Sequence, residues 1–361
     1  MNQFALEPHP SPTGPAERAA LVQAPTFGTV FADHMAAITW SAGGTGWHDR
    51  RITPYARLSL EPAAAVLHYA QEVFEGLKAY RWADGSIHTF RPDANAERFA
   101  RSARRMALPE LPVEDFIGSL EALVAVDQEW VPSQPGTSLY LRPFMFASEA
   151  FIGVRAAHEV SYFVIASPVG AYFKGGVAPV SIWVDQVFHR AGPGGTGAAK
   201  CGGNYAASLV AQEAAYQHGC EQVLFLDAMT SSTLEELGGM NVLVVMASGE
   251  VVTPPTSGTI LEGVTRGSLL GLIRDRGREV VERPITLTEL LDGIATGGVA
   301  EVFACGTAAV VTPVGRLAGE TFDVTVGDGT PGELTMALYD ELTGIQYGRV
   351  ADRHGWTHRL V

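Results

Sequence analysis

The clearest chemical signal in the chain is one lysine set among glycines. Residues 192–205 read GPGGTGAAKCGGNY, with six glycines in twelve residues and a single lysine, Lys200. Glycine loses more conformational freedom on ordering than any other residue, so a run this dense makes a poor helix or strand. It suits backbone that must approach a ligand closely or take positive φ. A lysine held out of water by such a loop loses part of its preference for the charged form. Its amine then becomes a nucleophile toward a carbonyl, the opening step of Schiff-base chemistry. The alternative is a solvated loop lysine, and the loop alone does not decide between the two. A nucleotide phosphate loop is excluded, because Ala198-Ala199 separates Gly197 from Lys200 and Cys201 stands where a hydroxyl is required.

Three other stretches have matching chemistry. Glu235 and Glu236 stand just before the apolar run that begins at Asn241, and one of them reads as a solvated turn residue. A carboxylate opposite a pyridine nitrogen keeps that ring protonated and makes it an electron sink. Residues 258–266 (GTILEGVTR) end a loop and open a helix, whose first N–H groups, at Val264 and Thr265, suit a phosphate. Residues 306–309 (GTAA) form a second tight turn with amides and a hydroxyl. No GxSxG elbow and no HExxH pair occur, and no metal site is indicated; His68 and His189 read as core or hinge residues.

The elements that must position these groups are those of a globular chain of about two domains. Hydrophobic content is 47% and charged content 18%, as in a packed protein. A net charge of −14 is opposite to what nucleic acid or an anionic membrane would attract. The three cysteines are odd in number and lack CxxC spacing, which fits a reducing cytoplasm. Residues 1–25 carry five prolines and read as a flexible arm; no signal-peptide pattern is present.

Patterning predicts a mixed α+β first half over 26–169. It has a strand within 27–40, a helix over 63–76, and a hairpin over 78–90 turned by Asp84-Gly85. Two helices follow, one capped by Asp93 and running to about 106, the other over 113–130, and then strands at 138–146 and 161–168. Arg98, Arg101, Arg104 and Arg105 share the first of these helices, so at least one turns inward. A glycine-rich connection over 170–179 leads to a second domain, 180–361, a sheet wrapped by helices.

In order and together, these blocks resemble the branched-chain amino-acid aminotransferases. That family belongs to the fold type IV, D-amino-acid-aminotransferase-like class of pyridoxal 5'-phosphate enzymes. The resemblance runs through Phe31-Ala32-Asp33-His34-Met35, His68-Tyr69, Phe74-Glu75-Gly76-Leu77-Lys78-Ala79, Ser138-Leu139-Tyr140-Leu141-Arg142-Pro143, Lys200-Cys201-Gly202-Gly203-Asn204-Tyr205 and Gly263-Val264-Thr265-Arg266. It implies a two-domain α/β transaminase acting on leucine, isoleucine or valine with 2-oxoglutarate, cytoplasmic, and a homodimer with active sites shared at the subunit interface.

Residue by residue, the resemblance implies that Lys200 binds the cofactor aldehyde and moves the substrate proton. Glu236 meets the pyridine nitrogen and Tyr205 the phenolic oxygen. Arg98, the amides of Val264 and Thr265, and Thr307 hold the phosphate. Phe27, Phe74, Tyr140, Tyr172 and Ala308 line the substrate pocket, while Tyr69, Ile152 and Val154 come from the neighbouring subunit. Arg142, with Tyr69 and Tyr140, receives the second carboxylate of glutamate, and the 307–308 amides receive the α-carboxylate. Three departures stand out. Gly239 replaces a common threonine, Ala309 and Thr312 replace the mammalian CxxC pair, and Cys305 is a lone thiol read as structural. The rival readings are a D-amino-acid aminotransferase, an aminodeoxychorismate-type lyase, or a catalytically silent pyridoxal-phosphate-binding protein.

Overall fold

A computed structural model describes residues 4–26, 28–170 and 177–361. Among these, one compact unit holds the chain up to residue 170, residues 199–202 and residues 344–361. The other holds residues 177–198 and 203–343.

The first unit is one sheet faced by helices. Its strands are β1 (Ala5–Leu6), β2 (His34–Ser41), β3 (Gly46–Pro54), β4 (Glu72–Phe74), β5 (Leu77–Arg81), β6 (Ile87–Phe90), β7 (Ser138–Ala147) and β8 (Glu159–Val169). They run in the order β1-β3-β2-β8-β7-β5-β6, with β4 also paired to β7. The helices are α1 (Pro15–Gln23), α2 (Ala65–Tyr69), α3 (Pro92–Arg105) and α4 (Val113–Val126). Phe99 of α3 and Phe116 of α4 meet Tyr162 of β8 in a buried aromatic cluster, with Phe99 5.5 Å from Phe116 and 5.7 Å from Tyr162. On α3 only Arg98 of the four arginines is buried, because it shares the inner helical face with Phe99 and Ser102.

Several expectations are corrected here. The helix over 63–76 shrinks to α2, since Ala70 takes φ 49° and residues 72–74 pair with β7 instead. Ladder pairing with a long central strand outweighs the helical propensity of that alanine-rich run. The cap of α3 is Arg91 at φ 50°, not Asp93, which lies in the first turn. The arm over 1–25 is not a flexible tail over its described part. There β1 pairs in parallel with β3, and α1 starts at Pro15, a favoured first helical residue. Asp33 anchors the arm: Oδ1 accepts the Thr13 N–H (2.9 Å) and hydroxyl (2.7 Å), and Oδ2 accepts the Trp130 indole N–H (2.9 Å). A proline-rich composition does not reveal a buried acceptor waiting elsewhere in the chain.

The second unit contains β9 (Val180–Asp185), α5 (Gly202–Gln217, after its first residue), β10 (Gln222–Leu226), β11 (Leu234–Leu237), β12 (Asn241–Met246) and β13 (Val251–Thr253). It continues with α6 (Val264–Asp275), β14 (Val280–Glu282), α7 (Leu287–Thr296), β15 (Val299–Gly306), β16 (Val310–Gly319), β17 (Phe322–Thr325) and most of α8 (Glu333–Gln346). Strands β9, β10, β11, β12, β15 and β16 pair in a closed ring, a small barrel filled by side chains such as Ile182, Leu224, Val242, Val302 and Val314. The sheet expected from the sequence therefore closes on itself. The closing contact is one residue pair, Glu236 opposite Asn241, too local to show in hydrophobic patterning. The expected 180–361 domain is also corrected, since residues 344–361 rejoin the first unit. There β18 (Thr357–Arg359) pairs antiparallel with β6 and gives that edge a partner. Residues 171–176 of the expected 170–179 connection lie outside the described residues. Among the described residues, no helix is long and apolar enough to cross a membrane.

Replacing Asp33 by alanine is expected to lower the unfolding free energy by about 3 kcal/mol, as several charge-assisted bonds are lost together. It should also open the arm to limited proteolysis ahead of residue 24. An unchanged urea midpoint with full protease protection would rule out the anchoring role.

Candidate active site

In the first unit, the four residues 199–202 are tied down through their backbone. The Lys200 N–H donates to Ser102 Oγ at 2.9 Å, and its carbonyl accepts the Phe74 N–H at 3.0 Å. Two residues on, the Gly202 N–H donates to the Glu72 carboxylate. Burial pushes the Glu72 carboxyl up, against the opposing pull of that N–H and of Arg142. With its backbone fixed, Lys200 lays Nζ 4.7 Å from the centre of the Phe74 ring. The Arg142 guanidinium lies 4.8 Å from the centre of the same ring, so amine and guanidinium both pack on Phe74.

A buried ion pair stands behind them. Glu75 accepts Arg98 Nε at 2.7 Å and Nη2 at 2.8 Å, and Asn95 Nδ2 donates to it at 2.7 Å. Burial alone would push the Glu75 carboxyl up, but Arg98, then Lys200 and Asn95, outweigh it and hold the group below its ordinary value. Gly76 is required by close approach, since a Cβ there would overlap the Tyr140 hydroxyl.

That hydroxyl accepts Arg142 Nη2 at 3.1 Å. Strands β7 and β8 place Tyr140 opposite Ser167 and Arg142 opposite Ile165, so the two-residue period puts all four on one face. They line a cavity of about 230 Å³ together with Gly28, Phe31 and Ala166.

In the second unit, Glu236 is almost fully buried. Its Oε1 pairs with Arg190 Nη1 at 2.7 Å and accepts the Leu261 N–H at 2.8 Å, while Oε2 accepts Asn241 Nδ2 at 3.3 Å. Arg190 Nη1 also donates to the Gly197 carbonyl (3.3 Å) and the Thr259 carbonyl (3.2 Å), so one guanidinium joins the glycine loop to Glu236. Gly197 and Gly263 permit close packing here. A Cβ would overlap the Thr259 carbonyl in the first case and the Asn241 side-chain oxygen in the second. Glu235 is also buried and accepts from the Thr259 hydroxyl, so neither carboxylate sits in a solvated turn. Burial pushes the Glu235 carboxyl up.

Among the other expected residues, Tyr205 is half-buried on α5 and faces the Gly239 backbone. A Cβ on Gly239 would meet the Tyr205 ring at 3.7 Å, an ordinary contact. Val264 and Thr265 open α6, whose start at Gly263 carries no side-chain cap. Thr307 and Ala308 form the half-buried turn between β15 and β16. Cys305 is buried, which pushes its thiol up to about 12 and supports a structural role. Tyr69, Ile152 and Val154 are exposed, Val154 at 88%, and the Tyr69 hydroxyl donates to the Ile152 carbonyl. Phe27 and Tyr172 lie outside the described residues. His68 is exposed and His189 half-buried, so His68 is not a core residue.

Sequence reading missed Glu75, Ser102, Glu72 and Arg190 as site residues. Ser102 had a usable signal, lying one helical turn after Arg98 on the same face. Arg190 had a weaker one, as the arginine at the threshold of the glycine loop.

The residues present suit pyridoxal phosphate. A lysine amine on a tied-down backbone, a buried carboxylate of the kind that accepts a ring N–H, and a helix start without a side-chain cap for a phosphate all occur. Among the described residues, no group of three or more His, Cys, Asp or Glu side chains could hold a metal.

The Glu75 pair makes a pH test. With its folded pKa below the ordinary 4.5, the ionised group stabilises the fold at neutral pH, and that contribution disappears as pH falls through the folded value. Glu75→Gln leaves Arg98 buried without its charge partner and should cost about 3–5 kcal/mol at pH 7. The gap to the parent protein should narrow below pH about 4. A pH-independent gap in denaturation midpoints would contradict this account.

Residues 72–317 match the family model of class IV amino-transferases. The chain is similar to the branched-chain-amino-acid aminotransferase of Mycobacterium tuberculosis (strain ATCC 25618 / H37Rv), 55% identical over 362 residues, which span 99% of this chain and 98% of the relative. It is also similar to the probable branched-chain-amino-acid aminotransferase of Streptomyces coelicolor (strain ATCC BAA-471 / A3(2) / M145), 54% identical over 357 residues, with 99% and 98% covered. Among solved structures, it matches the branched-chain aminotransferase from the thermophilic archaeon Thermoproteus uzoniensis with norvaline. That match has a TM-score of 0.74 and 26% identity over 90% of this chain and 100% of that one. With a mixed α/β fold of this class and such similarity along its length, the chain belongs to the branched-chain-amino-acid aminotransferase family of the class IV amino-transferases.

Proposed function

We propose that the protein is a pyridoxal-phosphate-dependent transaminase that moves the amino group reversibly between L-leucine, L-isoleucine or L-valine and 2-oxoglutarate. The observation that carries this reading is Lys200, whose backbone is tied down and whose amine packs on the Phe74 ring that Arg142 also meets. When bound, pyridoxal phosphate supplies an aldehyde that takes up the amino group and a protonated ring that draws off the electrons of the Cα–H bond.

The chain's own residues do the rest. Lys200 Nζ takes and returns the Cα proton as general base and acid. Glu236 is held in one orientation by Arg190 and the Leu261 N–H, and it keeps the ring nitrogen protonated. Tyr205 donates to the phenolic oxygen. Arg98, oriented by its pair with Glu75, meets the phosphate together with the Val264 and Thr265 amides and the Thr307 hydroxyl. Phe74 and Tyr140 bound the substrate side chain. Arg142 receives the distal carboxylate of glutamate, and the 307–308 turn receives the α-carboxylate.

The assembly we infer is a homodimer in the cytoplasm. Leu67, Tyr69, Phe151, Ile152 and Val154 form an exposed apolar group of the kind that marks a protein interface. In the dimer, Tyr69, Ile152 and Val154 reach the partner's substrate pocket.

Purified holoenzyme should lose its yellow colour on adding L-leucine and regain it with 2-oxoglutarate, while D-alanine leaves it unchanged. Lys200→Ala should reduce transamination at least about 1,000-fold, the size expected for loss of an activated nucleophile and its proton transfer. Turnover of D-alanine in place of L-leucine would favour the D-amino-acid reading instead. Val154→Arg should weaken self-association in light scattering at micromolar protein, and an unaltered dimer would reject this interface.

A further inference from the structure

The cavity on the β7–β8 face holds two donors that the fold does not use. Ser167 is 5% exposed, and its hydroxyl finds no hydrogen-bond partner among the described residues. The same is true of Arg142 Nε, a buried atom of a guanidinium whose Nη2 is already engaged with Tyr140. Both residues line the same space, with Phe31 and Ile165 as its apolar walls. Buried polar groups are nearly always satisfied, so two unpaired donors on residues that line one cavity point to an acceptor that the described residues do not supply.

We propose that Ser167 is a specificity-determining residue, the second donor, beside Arg142, to the carboxylate of an acidic substrate side chain. This rests on the reading that the cavity takes the substrate side chain. Ser167 stands opposite Tyr140 in the β-ladder, and Arg142 is bonded to that tyrosine, so hydroxyl and guanidinium belong to one patch of the sheet. A hydroxyl donates to one carboxylate oxygen without adding charge, and it stays compatible with an aliphatic chain lying against Phe31 and Ile165. The same space can therefore accept a leucine side chain and a glutamate side chain in alternate halves of a transamination. Arg142 supplies the attraction for the acid, and Ser167 strengthens it by a bond that only the acid can accept. A site built to hydrogen-bond a substrate group loses much when that bond is removed, whereas an apolar contact discriminates weakly.

The test is Ser167→Ala in the holoenzyme, reading the half-reactions with L-glutamate and L-leucine separately. The two donors share the same α-amino and α-carboxylate groups, so the ratio of their kcat/KM isolates the side chain. That ratio is expected to fall roughly ten-fold, the effect of one charge-assisted hydrogen bond. Inhibition by glutarate should weaken by a similar factor relative to 4-methylpentanoate, a binding readout that needs no turnover. Thermal stability should be unchanged or higher, since the alanine removes a buried hydroxyl that has no partner. An unchanged ratio with unchanged glutarate inhibition overturns the proposal. An equal loss for both donors also overturns it, because that is the mark of a structural role. If the parent protein turns over neither donor, the proposed function itself fails, a different result from an active parent with an indifferent variant.

Discussion

Two buried carboxylates, each held by an arginine, set the terms for the rest of the molecule. Taking a carboxylate out of water costs several kcal/mol unless a cation and further hydrogen bonds compensate. Glu75 is compensated by Arg98 and Asn95 in the first unit, and Glu236 by Arg190, Leu261 N–H and Asn241 in the second. Each pair also ties together segments far apart in sequence. The first joins the end of β4 to the buried face of α3. The second joins β11 to the glycine loop and to the loop before α6. A chain that satisfies these two charges has already placed the neighbourhoods of its candidate active-site residues.

The glycines acquire a more specific meaning in this setting. Gly76, Gly197 and Gly263 are sites where a Cβ would overlap a hydroxyl, a backbone carbonyl or an amide oxygen. None of the three has positive φ, so close approach, not left-handed backbone, is what demands glycine there. The glycine loop therefore works as packing material on one side of Lys200 and as a helix start on the other, where α5 begins at Gly202. Its conformational entropy is offset by backbone bonds from Ser102, Phe74 and Glu72.

The cavity beside Arg142 follows the opposite logic. There the fold leaves donors unpaired, which costs stability and is tolerated where a ligand completes the pairing. The frame is held by the paired charges of Glu75 and Glu236, while the cavity beside Arg142 keeps donors that the described residues leave unpaired.

Much of this was readable from residue types alone. The glycine-set lysine, the paired glutamates, the Asp84-Gly85 hairpin and the inward arginine on α3 are local signals, since each depends on spacing within one or two turns of chain. Residue types and their spacing were enough for the hairpin and most of the strands, because turn and alternation rules act over a few residues, while the class of chemistry came from the resemblance of the ordered blocks to the branched-chain aminotransferases. Which partners those residues meet emerged only in the folded chain. There Asp33 captures the proline-rich arm, and residues 344–361 return to the first sheet. The barrel closes at Glu236 opposite Asn241, and Arg190 pairs with Glu236. These are long-range pairings of buried polar groups, and the need of one residue for a partner does not identify where in the chain that partner lies.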